Sequence, residues 1–163
     1  MSAPPRPLSR AVAAVGARIL RSRPLVRAPI AVYHAGLGRL FGSRMLLLEH
    51  TGRRTGRTRE VVLEVADRPA PGRYVVVSGF DTRAQWLRNV SAQPRVRVSV
   101  GHRRSVPATA RVLPAQEAAR VLAGYAEQRS RWWAWFRPIV ERTMGRPVDD
   151  SAPPPTVELR LTP

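Results

Sequence analysis

Cysteine is absent from the chain. Disulfides, thiolate metal sites and cysteine nucleophiles are therefore excluded. Lysine is absent too, so all 28 basic residues are arginine. A complete exclusion of lysine is the mark of a GC-rich coding bias, and arginine abundance by itself therefore carries no argument. Acidic residues number only 11, which leaves a formal net charge of +17. That charge favours anionic partners: nucleic acid, an acidic membrane face, or a phosphorylated or carboxylated small molecule. No apolar run approaches the roughly 20 residues needed to cross a bilayer. The N-terminal run Ala11–Leu20 is short, carries Arg18 and leads into Arg21 and Arg23. It fits neither a secretory signal nor a membrane span. The standard catalytic signatures are missing as well: no Walker loop, no Gly-x-Gly-x-x-Gly after a strand, no His-Glu-x-x-His and no nucleophile elbow. His34, His50 and His102 lack metal-ligand spacing, so no metal site is expected.

What is present fits one domain. The chain has 163 residues, 44% of them hydrophobic, enough for one core. Residues 1–8 are proline-rich and read as a disordered tail. Residues 9–42 read as a basic, amphipathic helical arm, with Ser9 capping a helix over Arg10–Arg21 and a second helix over Ile30–Leu40, separated by Pro24 and Pro29. The first 48 residues hold eight arginines and no acid, which suits either a helix packed on the domain or a helix lying on anionic lipid.

From Met45 the period changes to that of strands. Met45–His50, Arg59–Ala66 and Arg73–Ser78 are expected strands, joined by turns at Gly52–Gly56 and Pro69–Gly72. Asp81 is placed to cap a helix running through Ser91. Val96, Val98 and Val100 alternate with Arg95, Arg97 and Ser99, Gly101–Arg103 turns the chain, and Ser105–Leu113 pairs back. Pro114 suits the first turn of a helix to about Arg129. Arg131–Met144 reads as a second helix bent at Pro138, and Val157–Leu161 as a last strand. The expected fold is α+β: about six mainly antiparallel strands closing on themselves over residues 43–163, flanked by helices.

Three segments are candidates for chemistry. In Thr51–Arg59 four arginines fall within seven residues, on a turn punctuated by Gly52 and Gly56. Guanidinium forks suit phosphate and carboxylate, and glycines let backbone N–H groups approach an oxyanion. In Ser78–Asn89 a strand end leads through glycine into a helix carrying Trp86, a junction able to meet the edge and face of a flat ring. In Trp132–Phe136 four aromatics in five residues cannot all point inward on one helix, so some must face a pocket, a partner or lipid.

Taken together, Leu46–Arg59, Tyr74–Gly79, Gln85–Asn89 and Pro94–Val98 resemble the deazaflavin-dependent nitroreductase and quinone reductase family of actinobacteria, most closely over residues 30–113. The resemblance implies a split β-barrel, the deazaflavin coenzyme F-420 with its phospholactyl-polyglutamate tail, and two-electron reduction of quinones, nitroaromatics or similar acceptors. By the same resemblance, Arg53, Arg54 and Arg59 would hold the phosphate and tail. Ser78, Gly79 and Phe80 would lie near the ring, and Gln85, Trp86 and Asn89 would line or lid the site. The family commonly has lysine at the position of Arg54. It carries a longer loop after the position of Ser78. Some members present tyrosines where Trp132, Trp133, Trp135 and Phe136 stand here, and these four would form the acceptor pocket. No catalytic side chain is required, because the cofactor carries the reaction. Ser78, a neighbouring hydroxyl or water would supply the product proton.

The alternatives are an FMN- or haem-binding split barrel, and a basic module for nucleic acid or membrane. The arginines are spread over arm, turns and strands with no nucleic-acid motif, which disfavours nucleic acid. A cytoplasmic protein is expected, peripheral on the inner membrane face if the arm binds lipid. A homodimer is common among barrels of this kind.

Overall fold

A computed structural model describes residues 23–149 and 151–162. The expected tail 1–8 and the helix Arg10–Arg21 with its Ser9 cap lie outside the described residues. The first described element is helix α1 (Arg23–His34), which runs straight through Pro29. The expected break there, and the helix over Ile30–Leu40, are thus corrected. A proline inside a helix forfeits one N–H bond, and α1 tolerates this because Tyr33 anchors it elsewhere. The Tyr33 hydroxyl donates to the Met45 carbonyl at 2.8 Å, and its ring stacks on Phe41 at 5.7 Å. The helix stops at Gly36, whose φ of +78° allows Leu37 N–H to reach Val32 O and Gly36 N–H to reach Tyr33 O. That pair of bonds is a Schellman motif, for which glycine is the favoured residue. A short 3-10 turn, Gly38–Phe41, leads into the barrel.

Six strands follow: β1 (Met45–Thr51), β2 (Thr58–Ala70), β3 (Arg73–Val77), β4 (Arg95–Val100), β5 (Arg103–Val112) and β6 (Thr156–Leu161). All pairings are antiparallel, and the strands close in the order β1-β2-β3-β6-β5-β4. The local hairpins behave as the alternation requires. In β1–β2, Leu46 faces Leu63 and His50 faces Arg59; in β4–β5, Val96 faces Ala108. Three long-range pairings close the barrel: β6 slots between β3 and β5, and β4 returns to β1.

β2 is longer than its alternation indicates. It continues past Ala66 to Ala70, through register shifts between Val65 and Asp67 and between Asp67 and Ala70. Such irregularities are where a strand accommodates a proline like Pro69. Helices α2 (Gln85–Ala92), α3 (Ala115–Gln128) and α4 (Ser130–Met144) complete the fold. Pro114 sits at the N-cap of α3, one position before the first turn.

The barrel interior is filled by Leu46, Leu48, Val76, Val98, Val157 and Leu159, none of which is exposed at all. α2 packs into this core through Trp86, Leu87 and Val90. A second, smaller cluster joins Leu122 of α3 to Val140 and Met144 of α4, with Trp133 and Phe136 packed on it. At roughly 25 cal/mol per Å² of apolar surface buried, the barrel cluster is the main source of stability, and it fixes where α2 enters. Among the described residues no helix is long and apolar enough to cross a membrane.

Candidate functional site

The arginine-rich turn lies between β1 and β2. Gly52 N–H donates to Arg57 O at 2.8 Å, while Thr55 and Gly56 N–H both donate to Gly52 O. Gly56 takes a φ of +66°, the conformation that lets the turn fold back. With Arg53 N–H on Asn89 Oδ1 and Arg57 N–H on Thr55 Oγ1, these bonds occupy five of the six backbone donors from Gly52 to Arg57. The expectation of an N–H cradle is therefore corrected: what the turn presents to an anion is its guanidinium groups, not its amides.

α2 stands beside this turn because its apolar side is sunk in the barrel. Its N-terminal residues then face the arginines. Arg53 Nη1 donates to Gln85 Oε1 and to Asn89 Oδ1, both at 3.0 Å, and Arg53 N–H reaches Asn89 Oδ1 at 3.2 Å. Asn89 Nδ2 in turn lies 3.1 Å from His50 Nδ1. His50 is 5% exposed, and burial, aided by the Arg59 charge, lowers its pKa to about 4. The imidazole is neutral at physiological pH.

Around these residues opens a cleft of about 670 Å³, with Arg27, Arg53, Arg54, Arg59 and Arg83 on its walls. Among the described residues Glu60 is the one acid there, and both of its carboxylate oxygens lie 2.9 Å from His34 Nε2. The first turn of α2 borders the cleft with no side-chain cap, which adds the partial positive charge of a helix N-terminus.

A second, apolar pocket of about 390 Å³ adjoins the cleft. Trp132, Trp133, Phe136 and Tyr125 form one wall, and Val61, Leu63 and Gly79 form another. Val61, Phe80 and Trp86 belong to both cavities. Trp133 meets Tyr125 edge to face at 5.7 Å. The Tyr125 hydroxyl donates to Glu64 Oε1 at 3.0 Å, the same oxygen that Arg129 grips at 2.9 Å. Burial, the larger cause, and the neighbouring Glu64 charge raise Tyr125 to about 12.

A family model for F-420H(2)-dependent quinone reductases matches residues 25–143, which span the cleft and both walls of the apolar pocket. The chain belongs to the F-420H(2)-dependent quinone reductase family. It is by that membership an F-420-dependent oxidoreductase. Solved structures agree on the fold. An F-420-H2 dependent reductase, FDR-A, is 24% identical over 72% of this chain and 94% of its own, with a TM-score of 0.51. A domain-swapped dimer is 20% identical over 82% of this chain and 100% of its own, with a TM-score of 0.52. The protein Atu2129 of Agrobacterium tumefaciens is 14% identical over 82% of this chain and 55% of its own, with a TM-score of 0.51. Among curated proteins none matches.

Within this family frame, most of the residues singled out from sequence gather at one place. Arg53, Arg54, Arg59, Phe80, Gln85, Trp86 and Asn89 line the cleft. Gly79, Trp132, Trp133 and Phe136 line the apolar pocket. Two do not face either cavity. Ser78 is fully buried, and its hydroxyl donates to Asp81 O at 2.8 Å. Trp135 is 49% exposed and packs against Trp132 and Phe136 on the outside of α4.

Asp81 does not cap a helix as expected. It adopts a φ of +53° at the start of a 3-10 turn, Asp81–Arg83, and its carboxylate pairs with Arg146 at 2.8 Å. That bond holds its pKa below the usual carboxylate range. The cleft also holds Arg27, His50, Glu60, Val61, Arg83 and Ala84, none of which the sequence marked as a site residue. Arg27 lies on α1 and Glu60 and Val61 on β2, outside the candidate segments, and only His50, among the polar residues that end β1 after Met45–Leu48, offered a local signal. Among the described residues no cluster of metal-binding side chains occurs.

Proposed function

We propose that the chain is a quinone reductase that binds coenzyme F-420 across the two cavities, its phosphate and glutamyl tail among the arginines and its ring at the shared wall. The observation carrying this reading is that an arginine-lined cleft and an aromatic pocket meet at Val61, Phe80 and Trp86. A ligand with a flat apolar end and a polyanionic end needs that combination. The two volumes lie within the range of cofactor sites. Five arginines exceed what the single phosphate of FMN would call for, which favours the longer, multiply charged tail over the FMN alternative.

When bound and reduced, F-420 supplies a hydride. The protein's part is then alignment and charge. Arg53, Arg54 and Arg59 hold the anionic end, with Arg27 and Arg83 extending the field. Phe80 and Trp86 bound the ring position and exclude water. Trp132, Trp133 and Phe136 hold a flat, lipophilic acceptor, for which a quinone is the matching class and a nitroaromatic the second. Tyr125 keeps its proton, bonded to Glu64, and Ser78 is closed away. The proton that accompanies the hydride is therefore drawn from water. A homodimer like that of the domain-swapped relative is a further proposal, read out by light scattering.

The test is a fluorescence titration of the purified chain with F-420 and, in parallel, FMN, followed by turnover of reduced F-420 with a menadione-type quinone and a nitroaromatic. Saturable binding of F-420 alone and faster turnover of the quinone support the reading. Binding of FMN alone would overturn it.

A further inference from the structure

We propose that His50 is a positioning residue for the anion-binding arginine Arg53, acting through Asn89. The inference rests on the reading of the cleft as the F-420 tail site, and it concerns residues on three different elements: His50 on β1, Arg53 on the turn and Asn89 on α2.

Hydrogen-bond chemistry leaves one arrangement open. Arginine and backbone N–H groups are donors only. Arg53 presents two of them, N–H and Nη1, to the same side-chain end of Asn89 at 3.2 and 3.0 Å. That end must be the oxygen. The Asn89 amide nitrogen then necessarily faces His50, 3.1 Å from Nδ1. An amide NH2 only donates, so Nδ1 must accept, which places the imidazole proton on Nε2 and makes the ring neutral. Each assignment forces the next, from the exposed cleft to a histidine that is 5% exposed. Burial beside Arg59 keeps the ring in this state.

The consequence is mechanical. Asn89 is itself 5% exposed and carries both Arg53 bonds on one atom. If nothing accepted from Nδ2, the buried amide would be left with an unpaired donor, which is costly. The side chain would then shift to find another acceptor or water for its NH2, and that movement would draw its oxygen away from Arg53. His50 thus holds the Asn89 oxygen towards the cleft, and Asn89 holds Arg53 where Gln85 can share it. A ligand's anion then meets a guanidinium already in place, and loses less ordering entropy on binding.

The experiment compares the full-length chain with His50→Leu, which deletes the acceptor, and His50→Asn, which returns an acceptor oxygen at the same remove from the ring-bearing carbon. Two readouts need no cofactor: the protonation of His50 ring nitrogens by NMR, and hydrogen exchange of the Arg53 amide. The third is the dissociation constant for F-420, with inorganic pyrophosphate as a second anion, in a double-mutant cycle with Arg53→Ala. The expected results are an unprotonated Nδ1, faster Arg53 exchange in His50→Leu, and a roughly five- to tenfold weaker F-420 affinity. The affinity loss should vanish in the Arg53→Ala background and be largely recovered in His50→Asn. A protonated Nδ1, or losses that add independently to those of Arg53→Ala, would overturn the proposal. Should His50→Leu not fold, the Nδ1 protonation state and the His50→Asn cycle decide alone. If the native chain bound no F-420 while the Arg53 amide still lost protection in His50→Leu, the cleft reading would fall and the positioning would stand.

Discussion

Arg83 Nη2 donates to the carbonyl oxygen of Thr143 at 2.6 Å and to that of Met144 at 3.2 Å, so a side chain from the 3-10 turn beside the cleft closes the C-terminal end of α4. A guanidinium there satisfies carbonyls that the helix leaves unpaired and opposes the negative end of its dipole. Because α4 carries the aromatic wall of the acceptor pocket, this bond ties the charged half of the site to the apolar half. Arg83→Met keeps the stem and removes the donors. It should cost roughly 1–2 kcal/mol of stability, read by urea denaturation, and should raise KM for the acceptor while leaving kcat close to that of the parent chain.

The four arginines of the turn should not contribute equally. Arg53, Arg54 and Arg59 line the cleft, whereas Arg57 on the same turn does not. Arg53→Ala and Arg54→Ala should each weaken F-420 binding by about 1.5–3 kcal/mol, the range for bonds to charged groups, and flatten its dependence on salt. Arg57→Ala should leave the dissociation constant within roughly threefold, since an exposed charge outside the site acts only through a screened field. Calorimetric titration at two salt concentrations checks all three. Equal losses in all three variants would mean that the turn acts as a diffuse charge.

Stability should fall on mild acidification because of His50. Its folded pKa is about 4 against 6.5 for the free side chain. Between those values the unfolded chain binds a proton that the folded chain refuses. The contribution is complete above about pH 6.5 and is lost progressively as pH falls to 4, a total loss on the order of 3 kcal/mol. Arg59 is paired with the ring's residue across β1–β2, Arg95 and Arg97 border the groove on its other side, and Glu49 and Glu60 line the same two cavities, so burial is the larger cause of the shift and the Arg59 charge the second. Denaturant midpoints from pH 7.5 to 4.5 should therefore decline in the parent chain and decline less in His50→Asn. Parallel curves would place the acid sensitivity elsewhere.

The aromatic cluster of α4 should divide by position. Trp133 lines the pocket and meets Tyr125, whereas Trp135 lies outside it and is 49% exposed. Trp133→Ala should raise KM for a quinone by roughly tenfold, through lost apolar contact worth about 1–2 kcal/mol. Trp135→Ala should leave KM unchanged. Steady-state kinetics on the two variants checks this, and a matching effect from Trp135→Ala would move the acceptor to the outer face of α4.

Much of this protein could be read from its sequence. The alternation of Val96, Val98 and Val100, the turns at Gly101 and Gly72, and the helical spacing of Trp86 and Val90 are local signals with local causes, so the elements and their order followed from them. The clustering of arginines on one turn, with an aromatic-bearing helix later in the chain, pointed to an anion beside a flat ring, because residue chemistry does not depend on the fold. Tertiary structure decided the rest. Closing the barrel needs β6 between β3 and β5, and nothing in Thr156–Leu161 names its neighbours, since strand pairing is a contest among long-range partners. α1 persists through Pro29 because Tyr33 is anchored on Met45, a contact between elements. Ser78 turned inward to Asp81, and His50 became the end of a buried hydrogen-bond chain, because a side chain's role follows from which donors and acceptors surround it. That surrounding exists only once β1, the arginine turn and α2 have been brought together by the apolar core beneath them.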